Sequence, residues 1–298
     1  MKISAKTKFC IIIGDPVDHS LSPAMHNAAY KHLGIDGKFV YLGSNVKITD
    51  VKKIVKAMRA MNNFRGLTCT IPHKIEVMKY LDWVDPVAEK IGAVNTVVND
   101  NGRLKGYNTD WLGVVKPLEK ITGLKGKKIA VLGAGGAARA VVYGVLIKGA
   151  KVKIFNRTEE KAKKLAEEFG CQGTGLDREK EIAEFDIIIN ASPVGMMPNE
   201  DQTPIATTLI NKNQIIFDIV YKPFKTKLLR EAEKKGAVVI PGVEMLLHQG
   251  TAQFELYTNC QAPVDIMKRT LYRKLKIKNE KLQFKIKNLH TGNWKNIK

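Results

Sequence analysis

No stretch of this sequence is apolar for long enough to cross a bilayer. Past the basic start Met1-Lys2-Ile3-Ser4-Ala5-Lys6, only Phe9 to Ile13 is apolar, and no cleavage-like site follows. That run is too short for the core of a secretion signal, so export is not expected and a cytoplasmic protein is. Cysteine is scarce: Cys10, Cys69, Cys171 and Cys260 stand far apart and form no C-x-x-C pair. Their spacing argues against a zinc site and against a disulfide framework, and reduced thiols fit the same compartment. Internal repeats and low-complexity tracts are missing too, which leaves a globular chain.

Acids are the minority charge, 29 against 49 Lys and Arg, for a net charge of +20. Half of that excess lies in Lys268 to Lys298, where eleven Lys and Arg face Glu280 alone. The remainder is spread over the body, as in a basic enzyme with anionic ligands. A nucleic-acid or anionic-membrane role for the tail is the lesser alternative. With 298 residues, 44% of them hydrophobic, the chain can build one large or two ordinary domains with sizeable cores.

Short β-type runs alternate with helical patterns. Cys10 to Ile13, Lys38 to Leu42, Leu67 to Thr70, Lys128 to Leu132, Lys151 to Phe155, Asp186 to Asn190, Gln214 to Val220 and Ala237 to Ile240 read as strands. In DVKKIVKAMRAM, Val51, Ile54, Val55 and Met58 recur at helical spacing behind Asp50, a candidate N-cap. Strand–helix alternation predicts an α/β fold with parallel sheets covered by helices. Asn101-Gly102 marks a hairpin. The basic linker GLKGKK, after a helical stretch from Trp111, suggests a domain boundary nearby. A helix over Glu244 to Tyr257 would return the chain to the first domain. The expected organisation is residues 1–110 with 243–275, then 111–242, then a basic tail, 276–298.

The stretch KKIAVLGAGGAARAVVYGVLIKGAKVKIFNRT carries the most specific mechanism. A strand, Ile129 to Leu132, runs into Gly133-Ala134-Gly135-Gly136-Ala137-Ala138, a G-x-G-x-x-A turn, then a helix from Ala137 and a second strand, Val152 to Phe155. Glycines there permit a tight turn and close backbone approach to a pyrophosphate, which the helix N-terminus attracts. At the second strand's end stand Asn156, Arg157 and Thr158, with no acid before Glu159 and with Lys161 a turn on. A guanidinium suits a ribose phosphate and an acid would repel it, so NADP is favoured over NAD.

Polar clusters sit where apolar runs end. In GDPVDHSLSP, Ser22-Pro23 reads as N-cap and N1 of a helix closed by Gly34, with Ser20 spare; cap and carboxylate ligand are both open for Ser22. In LTCTIPHK, Pro72 opens a helix and Lys74 falls in its first turn, where the dipole disfavours the cation and a general acid/base becomes conceivable; an exposed helix lysine is the plainer reading. Asn95 and Asp110, in IGAVNTV and GYNTDW, read as Asx turns, caps or ligands. Gln249 faces a cleft or solvent. No metal-ligand cluster is present.

Taken together, GDPVDHSLSP, TIPHK, GAVNT, GYNTD, GAGGAA, NRT, NASPVGM, DIVYKP and GVEMLLHQG resemble the shikimate dehydrogenase family, in the family's order from about Lys8 to Leu275. The resemblance implies an N-terminal three-layer α/β substrate domain, a Rossmann-type doubly wound NADP domain, and reversible reduction of 3-dehydroshikimate to shikimate with NADPH. It implies that Ser20 and Ser22 bind the substrate carboxylate and that Thr70, Asn95 and Gln249 bind its hydroxyls. Lys74 and Asp110 would be the catalytic pair and would also bind the substrate. Gly133, Ala134, Gly135, Gly136 and Ala137 would cradle the pyrophosphate, Asn156, Arg157, Thr158 and Lys161 would lie at the adenosine phosphate, and Ile219, Tyr221 and Gly242 near the nicotinamide. The family usually reads Asn-Val-Thr where this chain has Thr68-Cys69-Thr70, which alters a substrate-side or supporting hydrogen bond. A dual quinate/shikimate enzyme is the nearest alternative, and a Thr in place of Ser22 would point to it. A non-catalytic NADP-binding regulator would lack Lys74 or Asp110. A homodimer is left open.

Overall fold

A computed structural model describes residues 3–277; the expected tail lies outside them from residue 278 on. Along the chain run β1 (Lys8–Gly14), α1 (Ser22–His32), β2 (Phe39–Asn45), α2 (Val51–Ala60), β3 (Phe64–Cys69), β4 (Trp83–Val84), α3 (Pro86–Ile91), β5 (Thr96–Asp100), β6 (Arg103–Tyr107) and α4 (Asp110–Glu119). A second series follows: β7 (Lys128–Leu132), α5 (Gly136–Leu146), β8 (Lys151–Asn156), α6 (Glu159–Phe169), β9 (Gln172–Gly175), β10 (Ile187–Asn190), β11 (Ile215–Asp218), α7 (Lys227–Lys234) and β12 (Val238–Ile240). The chain closes with α8 (Gly242–Thr258) and α9 (Val264–Lys274).

Two six-stranded sheets result, ordered β2-β1-β3-β5-β6-β4 and β12-β11-β10-β7-β8-β9. The first is mixed, with β5 antiparallel to both β3 and β6. Alternation along its strands divides the side chains between two layers. Cys10 and Ile12 pack with α1, α8 and α9, while Ile13, Leu67 and Cys69 pack with α2. This is the expected three-layer lobe.

In the second sheet every pairing is parallel. Its order is that of the doubly wound dinucleotide fold, reversing direction between β7 and β10. Ile187, Ile188 and Ile189 are fully buried on alternating faces. At about 1.5–3 kcal/mol per buried branched side chain, three of them hold this short strand in the sheet's centre.

Several boundaries differ from the sequence reading. β11 ends at Asp218, not Val220, because the Asp218 carboxylate accepts the Val220 N–H at 3.0 Å and turns the chain. Asp50 occupies the N-cap position of α2, as expected, but its side chain makes no capping bond and pairs with Lys53 at 2.8 Å instead. Strands β4 and β9 and helix α9 were not anticipated; the first two are short and the last follows a polar loop.

Candidate active site

The ends of β1, β3, β10 and β11 and the first turns of α1, α4, α5 and α8 surround one solvent-open cleft of about 1120 Å³. Ser20 and Ser22 form one wall. Of the two readings open for Ser22, the cap does not hold. Leu21 occupies the cap position in αR conformation, so Ser22 is already helical and caps nothing. Its N–H meets Ser20 Oγ at 3.3 Å, and Ser22 itself is buried.

The second wall follows β3. Thr70 lies just past the strand, tied to Ile13 by its N–H at 2.9 Å. No helix opens at Pro72. Turns run to Ile75 and a 3-10 segment begins only at Glu76. The Lys74 carbonyl is taken at 2.8 Å by the Val94 N–H, which removes it from any helical ladder. Lys74 therefore sits in no first helical turn and at no helix dipole. Its surroundings come from elsewhere: Lys74 Nζ donates to Asp110 Oδ2 at 2.6 Å, with the two side chains 12% and 6% exposed.

Asp110 begins α4, its N–H held by Asn108 Oδ1 at 3.0 Å. Its second oxygen accepts from Asn95 Nδ2 at 2.8 Å. Asn95 Oδ1 in turn accepts the Thr109 N–H at 2.8 Å and the Thr96 hydroxyl at 2.7 Å. Asn95 is thus neither a local turn nor a cap but a clamp from β5 onto α4. The same amide lies 3.5 Å from Gln249 Oε1, whose own amide donates to the Leu246 carbonyl. Gln249 is buried and faces the cleft, not bulk solvent.

Across the cleft, Gly133 holds φ +118°, and a Cβ there would lie 3.1 Å from the Ala191 carbonyl carbon. Gly135 has nothing within 4 Å of an added Cβ, and Gly136, which starts α5 one residue earlier than expected, would meet Lys74 Cδ at 3.8 Å. An open backbone cradle at an uncapped helix start fits a pyrophosphate. Ala137, Ile219, Tyr221 and Gly242 line the same cleft. A Cβ on Gly242 would strike the Ile219 carbonyl oxygen, so only glycine lets α8 press against that turn. Burial pushes the Tyr221 phenol up to about 12, so it keeps its proton at neutral pH.

Gly133, Ala134 and Gly135 link β7 to α5, which Gly136 opens, and Asn156 ends β8 with Arg157 and Thr158 just past it. With Lys161 they are not among the residues that line the main cleft. Asn156 Nδ2 donates to the Thr158 carbonyl at 2.8 Å. Arg157, Thr158 and Lys161 are exposed. Arg157 joins no ion pair among the described residues, whereas Glu159 is paired with Lys163 at 3.0 Å. This donor set suits a phosphate and offers no competing acid.

In NASPVGM, Ser192, Pro193 and Met196 line the cleft at the switch point, a role their residue types alone do not signal. Nor does the sequence single out Lys222, whose Nζ reaches the His19 carbonyl at 3.0 Å and ties the two lobes together. Among the described residues no group of three or more His, Cys, Asp or Glu is placed to hold a metal, and no helix is long and apolar enough to cross a membrane.

A doubly wound sheet whose switch point faces a buried Lys–Asp pair in a second lobe defines a two-lobed, dinucleotide-using dehydrogenase. The family model for the shikimate dehydrogenase substrate binding domain matches residues 12–97, that for shikimate/quinate 5-dehydrogenase residues 117–221, and that for the shikimate 5'-dehydrogenase C-terminal domain residues 242–272. A shikimate dehydrogenase (NADP(+)) of Dehalococcoides mccartyi is 46% identical over 267 residues, covering 86% of this chain and 92% of that protein. A crystal structure of a shikimate dehydrogenase in complex with NADP+ superposes with a TM-score of 0.86 at 41% identity, covering 92% of this chain and 97% of the other. The Thermus thermophilus enzyme, in complex with NADP(H) and shikimate, gives 0.83 at 38% identity, covering 90% and 99%. The chain belongs to the shikimate dehydrogenase family.

Proposed function

We propose that this protein is an NADP-dependent shikimate dehydrogenase that interconverts 3-dehydroshikimate and shikimate, on the route to chorismate and the aromatic amino acids. The observation that carries this reading is the buried Lys74–Asp110 pair, 2.6 Å apart, in the lining of an open cleft and with the Lys74 side chain against the glycine turn. When bound, NADPH supplies the hydride. As the ring ketone becomes an alkoxide, Lys74 donates a proton to its oxygen; in the oxidative direction it removes the hydroxyl proton. Asp110 orients the ammonium and balances its charge, and Asn95 holds Asp110 by its other oxygen. Ser20 and Ser22 receive the carboxylate at the start of α1, and Thr70, Asn95 and Gln249 receive ring hydroxyls. Gly133, Ala134, Gly135, Gly136 and Ala137 would hold the pyrophosphate, Asn156, Arg157, Thr158 and Lys161 the adenosine phosphate, and Ile219, Tyr221 and Gly242 the nicotinamide end. Residues 1–110 with 243–275 form the substrate domain in this reading, and 111–242 the NADP domain.

Ser22, where Thr would favour quinate, supports shikimate as the preferred substrate. A cytoplasmic enzyme fits the basic, cysteine-poor chain, and its assembly as monomer or homodimer is set by light scattering. The deciding experiment is NADP reduction followed at 340 nm (NADPH absorbance) with shikimate and with quinate, each repeated with NAD. Turnover with shikimate and NADP is expected; none with any of the four combinations overturns the reading.

A further inference from the structure

Thr68 of β3 and Thr70, just past its end, both line the cleft. Thr68 is also the departure from the family's Asn. Behind it lie two phenols that the sequence did not connect to the site. Tyr41 of β2 donates its hydroxyl proton to Thr68 Oγ1 at 2.6 Å, and the Tyr257 hydroxyl of α8 stands 2.8 Å from the same oxygen. Both tyrosines are almost completely buried.

The three groups are held in place by their neighbours. His26 stacks on the Tyr41 ring at 4.3 Å between centroids, and Asn27 brackets the Tyr41 backbone with bonds of 2.7 and 2.9 Å. The Tyr257 ring lies over Gly66, where an added Cβ would sit 2.5 Å from its edge. Arg65 Nε fixes the Tyr257 carbonyl at 2.9 Å.

A hydroxyl has one proton and two acceptor positions. Among the described residues, Thr68 Oγ1 is the acceptor within reach of the Tyr257 proton. Were Tyr257 to accept from Thr68 instead, its own proton would be buried without a partner, which is costly. The economical arrangement has both phenols donating to Thr68. Its acceptor positions are then filled, and its single proton is left for the cleft.

We propose that Thr68, its oxygen saturated by Tyr41 and Tyr257, is a one-way hydrogen-bond donor to a ring hydroxyl of the cyclic polyol carboxylate and thereby a determinant of substrate selectivity. An asparagine amide at this position both donates and accepts; a threonine held this way only donates, so it rewards an acceptor oxygen at one fixed place. Tyr41 and Tyr257 are positioning residues that act through Thr68. The proposal rests on the shikimate dehydrogenase reading above.

The test measures kcat and KM for shikimate and for quinate with NADP, with NADPH affinity from fluorescence and folding from thermal melting. It compares the wild type with Thr68→Val, Thr68→Ser and Tyr257→Phe. Thr68→Val keeps the shape and removes the proton; the shikimate KM is expected to rise roughly tenfold or more, with NADPH affinity unchanged and kcat within about threefold. Thr68→Ser is expected to restore most of that loss. Tyr257→Phe frees one acceptor position and is expected to raise the shikimate KM several-fold and shift the shikimate/quinate ratio. If Thr68→Val misfolds, the serine and phenylalanine variants carry the test. A wild-type KM in Thr68→Val, a Thr68→Ser as weak as a folded Thr68→Val, or an unchanged substrate ratio in Tyr257→Phe overturns this inference alone. A wild-type protein inert toward shikimate and NADP overturns the functional reading with it.

Discussion

Lys74 lies against Gly136, its side chain 3.8 Å from where a Cβ of that glycine would stand. The dinucleotide turn of one lobe is therefore directly against the lysine of the other. Lys74→Ala should leave the cradle intact, leave shikimate binding much less affected, and lower kcat by roughly 10²–10⁴-fold, the range of a lost general acid/base. Steady-state kinetics with calorimetric binding of shikimate checks this; near-normal turnover removes Lys74 from the role.

Asp110→Asn keeps the shape of the Asn95 clamp but removes the charge paired with Lys74. Turnover should fall about 100-fold or more, because the ammonium loses its orienting partner. Steady-state kinetics reads the loss; a variant with wild-type turnover would show that Asp110 does not act through Lys74.

Arg157→Ala should raise the KM for NADP by roughly 10- to 100-fold, the cost of one charge-assisted phosphate contact, and leave that for NAD unchanged. The ratio of the two specificity constants is the measurement, and an unchanged ratio removes the contact.

His26 is fully buried, and neither of its ring nitrogens finds a partner among the described residues. Burial pushes its imidazole down from 6.5 to about 3. The native state then keeps it neutral while the unfolded chain takes up a proton below pH 6.5. Stability from this residue is complete above that pH and is lost as pH falls from 6.5 toward 3, at up to about 1.4 kcal/mol per pH unit. His26→Phe should flatten the decline of melting temperature between pH 7 and 4. An identical slope in the variant would assign the acid sensitivity elsewhere.

Gly242→Ala should destabilise the fold by about 1–3 kcal/mol, since the new methyl overlaps the Ile219 carbonyl and backbone must shift. Denaturant unfolding reads the loss. The KM for NADP should rise too, because Ile219 and Tyr221 line the cleft beside that turn.

Local chemistry was legible in the chain. The strand–glycine turn–helix unit around Gly133, the absence of an acid before Glu159, and the alternating strands and helices each depend on residues within a few positions of one another. Helix starts were less legible. Ser22 and Pro72 looked like cap and opener, but Leu21 took the cap position, and the bond between Val94 and the Lys74 carbonyl drew that segment out of helical form.

What the sequence alone determined is the class of fold, the dinucleotide turn and the residue types the chemistry needs, because propensity, patterning and turn geometry act over short stretches. Only tertiary structure decided which of those residues meet. Lys74 reaches Asp110 across 36 positions, Thr68 reaches Tyr257 across 189, and Lys222 reaches His19 across 203. Those meetings follow from sheet register and from α8 returning to the first lobe, both set by burial summed over the whole chain.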